Sequence, residues 1–291
     1  ESPSELLKRL IADPADKIRL DEFVTKRIRR AALEIAADKF PTQGDFSREE
    51  FLERVRRYEA AILELEEPII LLARWGSNEQ LPLIQKILAR LAETNDARGG
   101  LVAWIELKWY PLLLLMYAGG IAALSEQRYD VLRSILLAPV FAEERSKTRP
   151  LLFPTVDALT SIHDTFKVVP GLDRHYTPRS DHIYQTLQPV LEDNLFLGKS
   201  YDPLFDDFEI LLALTYASES ESNSGVWGPL GRFAWKRGYS GGGPFNAFVD
   251  EASKRGNSWP ALRAGFFSGE ISRFLSIAGE YSKLLGRTHW S

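Results

Sequence analysis

Behind Ser47, apolar side chains recur at Phe51, Val55, Tyr58, Ile62 and Leu65, at steps of four, three, four and three. At a helical period near 3.6 residues these five share one face, with Glu53, Arg54, Arg57 and Glu64 elsewhere. Ser47 and Glu50 stand in the S-x-x-E spacing of a capping box, where each side chain satisfies a free backbone N–H at a helix start. Pro68 predicts an interruption or kink, because it removes a donor and crowds the preceding turn. Upstream, Pro14 suits the first turn of a helix running to about Lys39, with Leu20, Phe23, Val24, Ala31 and Ile35 as its inner face.

The same reading places helices near 79–93, 101–125 and 129–138. Between 140 and 182 the pattern changes. Helical signal persists only near 154–165, and Pro150, Pro154, Pro170, Gly171 and Pro178 punctuate the rest. Helices resume near 180–195 and 203–217, then near 245–255, 259–267 and 270–285. The polar tract "SESESNSG", 218–225, reads as a mobile loop or a boundary. "YAGGIAALSEQRYDVLRSIL" reads as a helical hairpin, in which small residues let two helices approach. Alternating strand-like runs are nearly absent. The fold expected is all-α: an irregular array of about ten helices, partly hairpin-like in the manner of a solenoid, with long loops. One domain spans 1–291, with possible subdomains 1–139 and 140–291.

Composition narrows the function classes. Of 291 residues, 45% are hydrophobic and 26% charged, the balance of a globular chain with a buried core. A net charge of −4 gives no overall bias toward phosphate backbones or anionic lipid. Cysteine is absent, which removes disulfides, thiolate metal sites and cysteine nucleophiles and fits a reducing, cytoplasmic setting. The longest uncharged run, "WYPLLLLMYAGGIAAL", is shorter than the roughly 20 residues of a membrane span and reads as a core helix. The chain shows no signal-peptide pattern. It opens at Glu1 and not at methionine, which predicts a piece of a longer protein whose flanks carry further activity.

Three of the four histidines lie between 162 and 184, each with an aspartate nearby. His163, Asp164, His175 and His182 are therefore candidate metal ligands for a metal-dependent hydrolase, since such a site needs three or four converging side chains. Against it, they crowd into a proline-broken segment without the paired helical spacing that aims two imidazoles at one point. In the competing reading Asp173 and Asp181 cap turns or helices. Asp202 and Asp206 are spaced to share a helix face, as acid–base or magnesium chemistry requires, but Asp202 before Pro203 also has the form of an N-cap. "KRIRR" puts Lys26, Arg29 and Arg30 on an outer helix face, a candidate nucleic-acid stripe. "YSGGGPF" lacks the strand before it, or the Gly-Lys-Ser/Thr end, of a phosphate loop. No serine sits in a nucleophile elbow, and no residue is assigned as catalytic.

The segment from Trp227 to Phe245 mixes aromatic and basic residues around glycines. Trp227, Arg232, Trp235, Lys236, Arg237 and Tyr239 have the composition of a binding hot spot and form the candidate partner contact. "WYPLLLLMYAGGIAAL", "GPLGRFAW" and "WPALRAGFFSG" together resemble the helical C-terminal regions of large bacterial proteins whose N-terminal part is an effector or nucleotide-binding domain, of the antiviral-defence type. The resemblance spans roughly residues 100–285. It implies a sensor or scaffold role and carries no catalytic residue. The expectation is a non-catalytic recognition or regulatory module, without cofactor or membrane, that binds a protein partner or a neighbouring domain. A metal-dependent hydrolase and a nucleic-acid-binding module are the alternatives.

Overall fold

The computed structural model describes residues 2–95, 99–141, 148–220, 226–236 and 242–287. Its centre is the uncharged run itself. Every residue from Tyr110 to Leu124 is buried, so the helix that carries it has no solvent face. Among the described residues one stretch is apolar and long enough to cross a membrane, Val102–Ser125, and its most apolar window is wrapped by protein, although Val102 at its start is exposed.

In chain order the helices are α1 (Pro3–Ala12), α2 (Lys17–Glu34), α3 (Arg48–Trp75), α4 (Leu81–Ala92), α5 (Val102–Leu107), α6 (Tyr110–Ser125) and α7 (Tyr129–Leu136). A small antiparallel hairpin follows, β1 (Pro139–Phe141) with β2 (Thr148–Pro150). Then come α8 (Leu152–Ser161), α9 (Pro178–Leu195), α10 (Tyr201–Glu219), α11 (Pro244–Arg255), α12 (Pro260–Arg263) and α13 (Ile271–Arg287). The protein is 76% helical, all-α apart from that hairpin. The central α6 packs on α3, α7, α9 and α10, and α13 closes over α10 and α11.

The expected hairpin is α6 and α7, and its glycines are where the core is tightest. A Cβ at Gly119 would press on Ile69 of α3 and Ile135 of α7, and one at Gly120 would overlap the Phe208 ring of α10. Gly120→Ala is expected to cost about 2 kcal/mol in urea denaturation, the ordinary cost of overpacking a filled core. Adding Phe208→Leu should return part of that loss.

Four expectations need correction. Pro68 does not end its helix; α3 runs unbroken to Trp75 with Pro68 buried inside it. The residues beside it, Ile69 to Ala73, are all buried, so packing outweighs the missing hydrogen bond. Arg54, expected off the apolar face, is buried: Nε donates to Glu50 at 2.6 Å, Nη1 to the Pro41 carbonyl at 2.7 Å, and the guanidinium lies over Trp104. Asp202 is not an N-cap; Ser200 holds that place and Asp202 sits inside the first turn of α10. The N-terminal segment, assigned no element from the sequence, forms α1 behind a capping box of Ser2 and Glu5.

Candidate functional site

The start of α9 is polar yet buried: Thr177, Arg179, Ser180 and Asp181 are each under a tenth exposed. Such groups stay out of water only when they are bonded or paired. Their partners come from α8, α10, His175 and the segment 226–236, which lies across α9 and α10.

Glu209 of α10 is the hub. One carboxylate oxygen accepts from the Ser180 hydroxyl at 2.6 Å and the Tyr117 hydroxyl at 3.0 Å, and the other accepts from the Arg232 backbone N–H at 2.8 Å. Burial pushes this carboxyl up to about 7, against the hydrogen bond from Ser180 and the nearby Arg179 charge. The backbone approaches so closely that a Cβ on Gly231 would run into the carboxylate. That contact requires glycine.

Around this hub sits a charge clamp. Arg232 donates from Nε to Asp181 at 3.0 Å, pairs through Nη1 with Asp202 at 3.2 Å, and stacks on the Tyr184 ring. Lys236 reaches Asp202 at 2.9 Å and the buried Asp206 at 2.7 Å. The two aspartates do share a face of α10, and it is the Lys236 ammonium that lies between them. Trp235 donates its indole N–H to Thr177 at 3.1 Å, and Thr177 donates to Asp181.

The candidate partner segment therefore divides. Arg232 and Lys236 are spent on internal ion pairs, and Phe233 is buried. Trp227 and Trp235 remain 41% and 37% exposed. Arg237 and Tyr239 lie outside the described residues.

The histidine group also divides. His163 contacts the Thr160 carbonyl at 2.9 Å and Asp164 at 3.4 Å, His175 contacts Asp181 at 2.9 Å, and His182 contacts Glu59 of α3 at 2.9 Å. Each imidazole thus has its own acid. Among the described residues no three His, Asp or Glu side chains converge as a metal would need. Of the basic stripe, Lys26 and Arg29 face solvent while Arg30 pairs with Glu64 at 3.0 Å.

Beside the clamp opens a cavity of ≈ 280 Å³. Tyr176 and Trp227 stand on it half-exposed, Leu230 and Leu284 supply apolar wall, and Thr160 and Arg179 supply polar groups. The Arg179 guanidinium reaches the Thr160 hydroxyl at 3.2 Å and the Leu230 carbonyl at 3.5 Å; its Nε is buried without a partner. A larger, more open groove lies between α1, α2 and α4, lined by Lys8, Lys17, Trp75 and Gln80 among others. Its buried polar side chain, Gln80, is already bonded to the Ile11 carbonyl and the Ser77 N–H.

Sequence reading missed Arg179, Ser180, Thr160 and Tyr176, and it took Glu209 as one of a capping, solvated acid group with Asp202, Asp206 and Asp207, whereas the structure buries it. Only Glu209 left a signal: an acid directly ahead of the uncharged run "ILLALTYA" on a helix has to find partners inside. No family model matches this chain, no curated protein matches it, and no solved structure matches it.

Proposed function

We propose that the chain is a non-catalytic recognition module that engages a protein partner, or a neighbouring domain of a longer chain, at the mouth formed by Tyr176 and Trp227, with Trp235 bonded to Thr177 beside it. The observation that carries this reading is the contrast at the start of α9. Three aromatic side chains, 47%, 41% and 37% exposed, are mounted on a buried and ion-paired base. Half-exposed aromatics on a rigid support lose little freedom on binding and are the residues enriched at interface hot spots. The polar groups nearby favour recognition over chemistry, because each is already engaged inside the protein: Ser180 donates to Glu209, Thr177 to Asp181 and Lys236 to Asp206. In this reading the module senses or scaffolds within a larger bacterial, cytoplasmic protein of the antiviral-defence kind.

A photo-crosslinking amino acid at position 227, in the protein expressed in its native cell, tests the proposal. A discrete adduct is expected there, and none at Ile18, which is more exposed but lies on α2. Equal yields at the two positions would rule out a specific mouth.

A further inference from the structure

Arg179 is 6% exposed, and among the described residues no carboxylate lies within ion-pair distance of it. A buried guanidinium in that state is uncommon, because removing the charge from water without a counter-charge is unfavourable. Its fellow cations are treated differently: Arg232 and Lys236, a few residues of packing away, have aspartates on both sides. The Arg179 charge is felt by the Glu209 carboxyl. That carboxyl accepts from Ser180, Tyr117 and the Arg232 backbone, none of which is Arg179.

What Arg179 does face is the ≈ 280 Å³ cavity. The size is at the small end of ligand sites, which run roughly from 300 to 1,000 Å³. Its walls are mostly apolar, through Trp227, Leu230, Leu284 and the Tyr176 ring, with the Thr160 hydroxyl beside the guanidinium; His163 also lines it, as do Thr177 and Ser180, whose hydroxyls donate to Asp181 and Glu209. The cavity also abuts the first turn of α9, an 18-residue helix whose start has no side-chain cap bond. The positive end of the helix and the guanidinium act in the same direction.

We propose that this cavity binds a small organic monocarboxylate whose body is an aromatic ring or a branched alkyl group, with the carboxylate on Arg179. One guanidinium and one hydroxyl match a single carboxylate fork. A phosphate dianion would bring two charges beside Asp181 and Glu209 and leave the apolar walls without contact. The body of the ligand lies along Leu284 and Leu230 and under Trp227. This proposal stands on the cavity and goes beyond the partner reading; the crosslinking result at the mouth decides that reading separately.

The test is calorimetric titration of the intact chain with phenylacetate, 2-phenylethanol, acetate and inorganic phosphate. Phenylacetate is expected to saturate at one site and to bind at least about tenfold more tightly than each of the others. Arg179→Met should abolish the preference for phenylacetate over 2-phenylethanol. Because that variant alters a buried charge, Leu284→Trp provides a second test: it fills the cavity from α13, leaves Arg179 in place, and should remove binding of every probe while the circular dichroism spectrum stays that of the parent. Several results would overturn the proposal: no saturation by phenylacetate up to about 10 mM, equal affinity for acid and alcohol, or unchanged affinity in Leu284→Trp. Tighter binding of a peptide ending in phenylalanine than of phenylacetate would also overturn it, and would assign the cavity to a partner's C-terminus.

Discussion

Arg232→Ala is expected to lower the stability of the protein by about 3–5 kcal/mol, the cost of removing one member of a buried ion pair and leaving the other charged. Asp181 is 4% exposed and receives the Arg232 Nε at 3.0 Å. Without it, the carboxylate keeps Thr177 and His175 but loses its permanent cation. The stacking on Tyr184 goes as well. Asp202 suffers less, since it is half-exposed and still holds Lys236. Urea denaturation gives the measurement, and Arg232→Lys should recover only part of the loss, because an ammonium cannot fork toward two carboxylates and stack on a ring at once. A loss under about 1 kcal/mol would mean the pair behaves as a surface salt bridge, not a buried one. The consequence for binding studies is direct: Arg232→Ala reports on folding, so partner contacts are better probed at Trp227 and Tyr176.

That shift, from Arg232 as candidate contact to Arg232 as clamp, shows what a linear pattern can carry. Helix positions were legible because the period-3.6 faces are continuous: Phe51, Val55, Tyr58, Ile62 and Leu65 are all buried, as their spacing requires. The α6–α7 hairpin was legible from its small residues and its return at Tyr129. Pro68 does not interrupt α3, because propensity acts locally while the packing that overrides it comes from α6, some 40 residues on. The β1–β2 hairpin was missed because each strand has three residues and Val140 alone is buried, too short for alternation to register.

The candidate site was legible in its aromatics and not in its charges. Trp227 and Trp235 stand out in any reading that weighs residue type. The fate of Arg232, Lys236, Asp202 and Asp206 depends on the segment 226–236 crossing α9 and α10, which no local spacing encodes. For the same reason the three histidines, neighbours in sequence, end on three different acids. Arg179 was invisible: between Pro178 and Ser180 it resembles an ordinary first-turn residue, and its burial without a carboxylate exists only once α8, α9 and the 226–236 segment come together.

A further buried acid, Glu66 of α3, gives the second large effect and one with a definite pH signature. It is 5% exposed, and burial first, then the nearby Glu59, pushes its carboxyl up to about 8 from an ordinary 4.5. The sign follows from which state holds the proton. Below pH 4.5 the group is protonated in both the folded and unfolded chain and contributes nothing to the pH dependence. Between 4.5 and 8 the unfolded chain releases the proton while the folded chain keeps it, so stability falls as pH rises. At about 1.4 kcal/mol per pH unit, the accumulated loss is about 3 kcal/mol at pH 7, and it levels off above pH 8. Glu66→Gln keeps the shape and removes the titration. The variant is expected to match the parent near pH 4 and to exceed its stability by about 3 kcal/mol at pH 7. Glu209 and Asp207, pushed up by burial to about 7 and about 6, tilt the curve in the same direction, but they are present in both proteins and cancel in the difference. Urea denaturation of the pair at about pH 4, 5, 6, 7 and 8 isolates the Glu66 contribution. A difference that stays flat across that range would show that Glu66 ionises freely in the folded chain and that water reaches it.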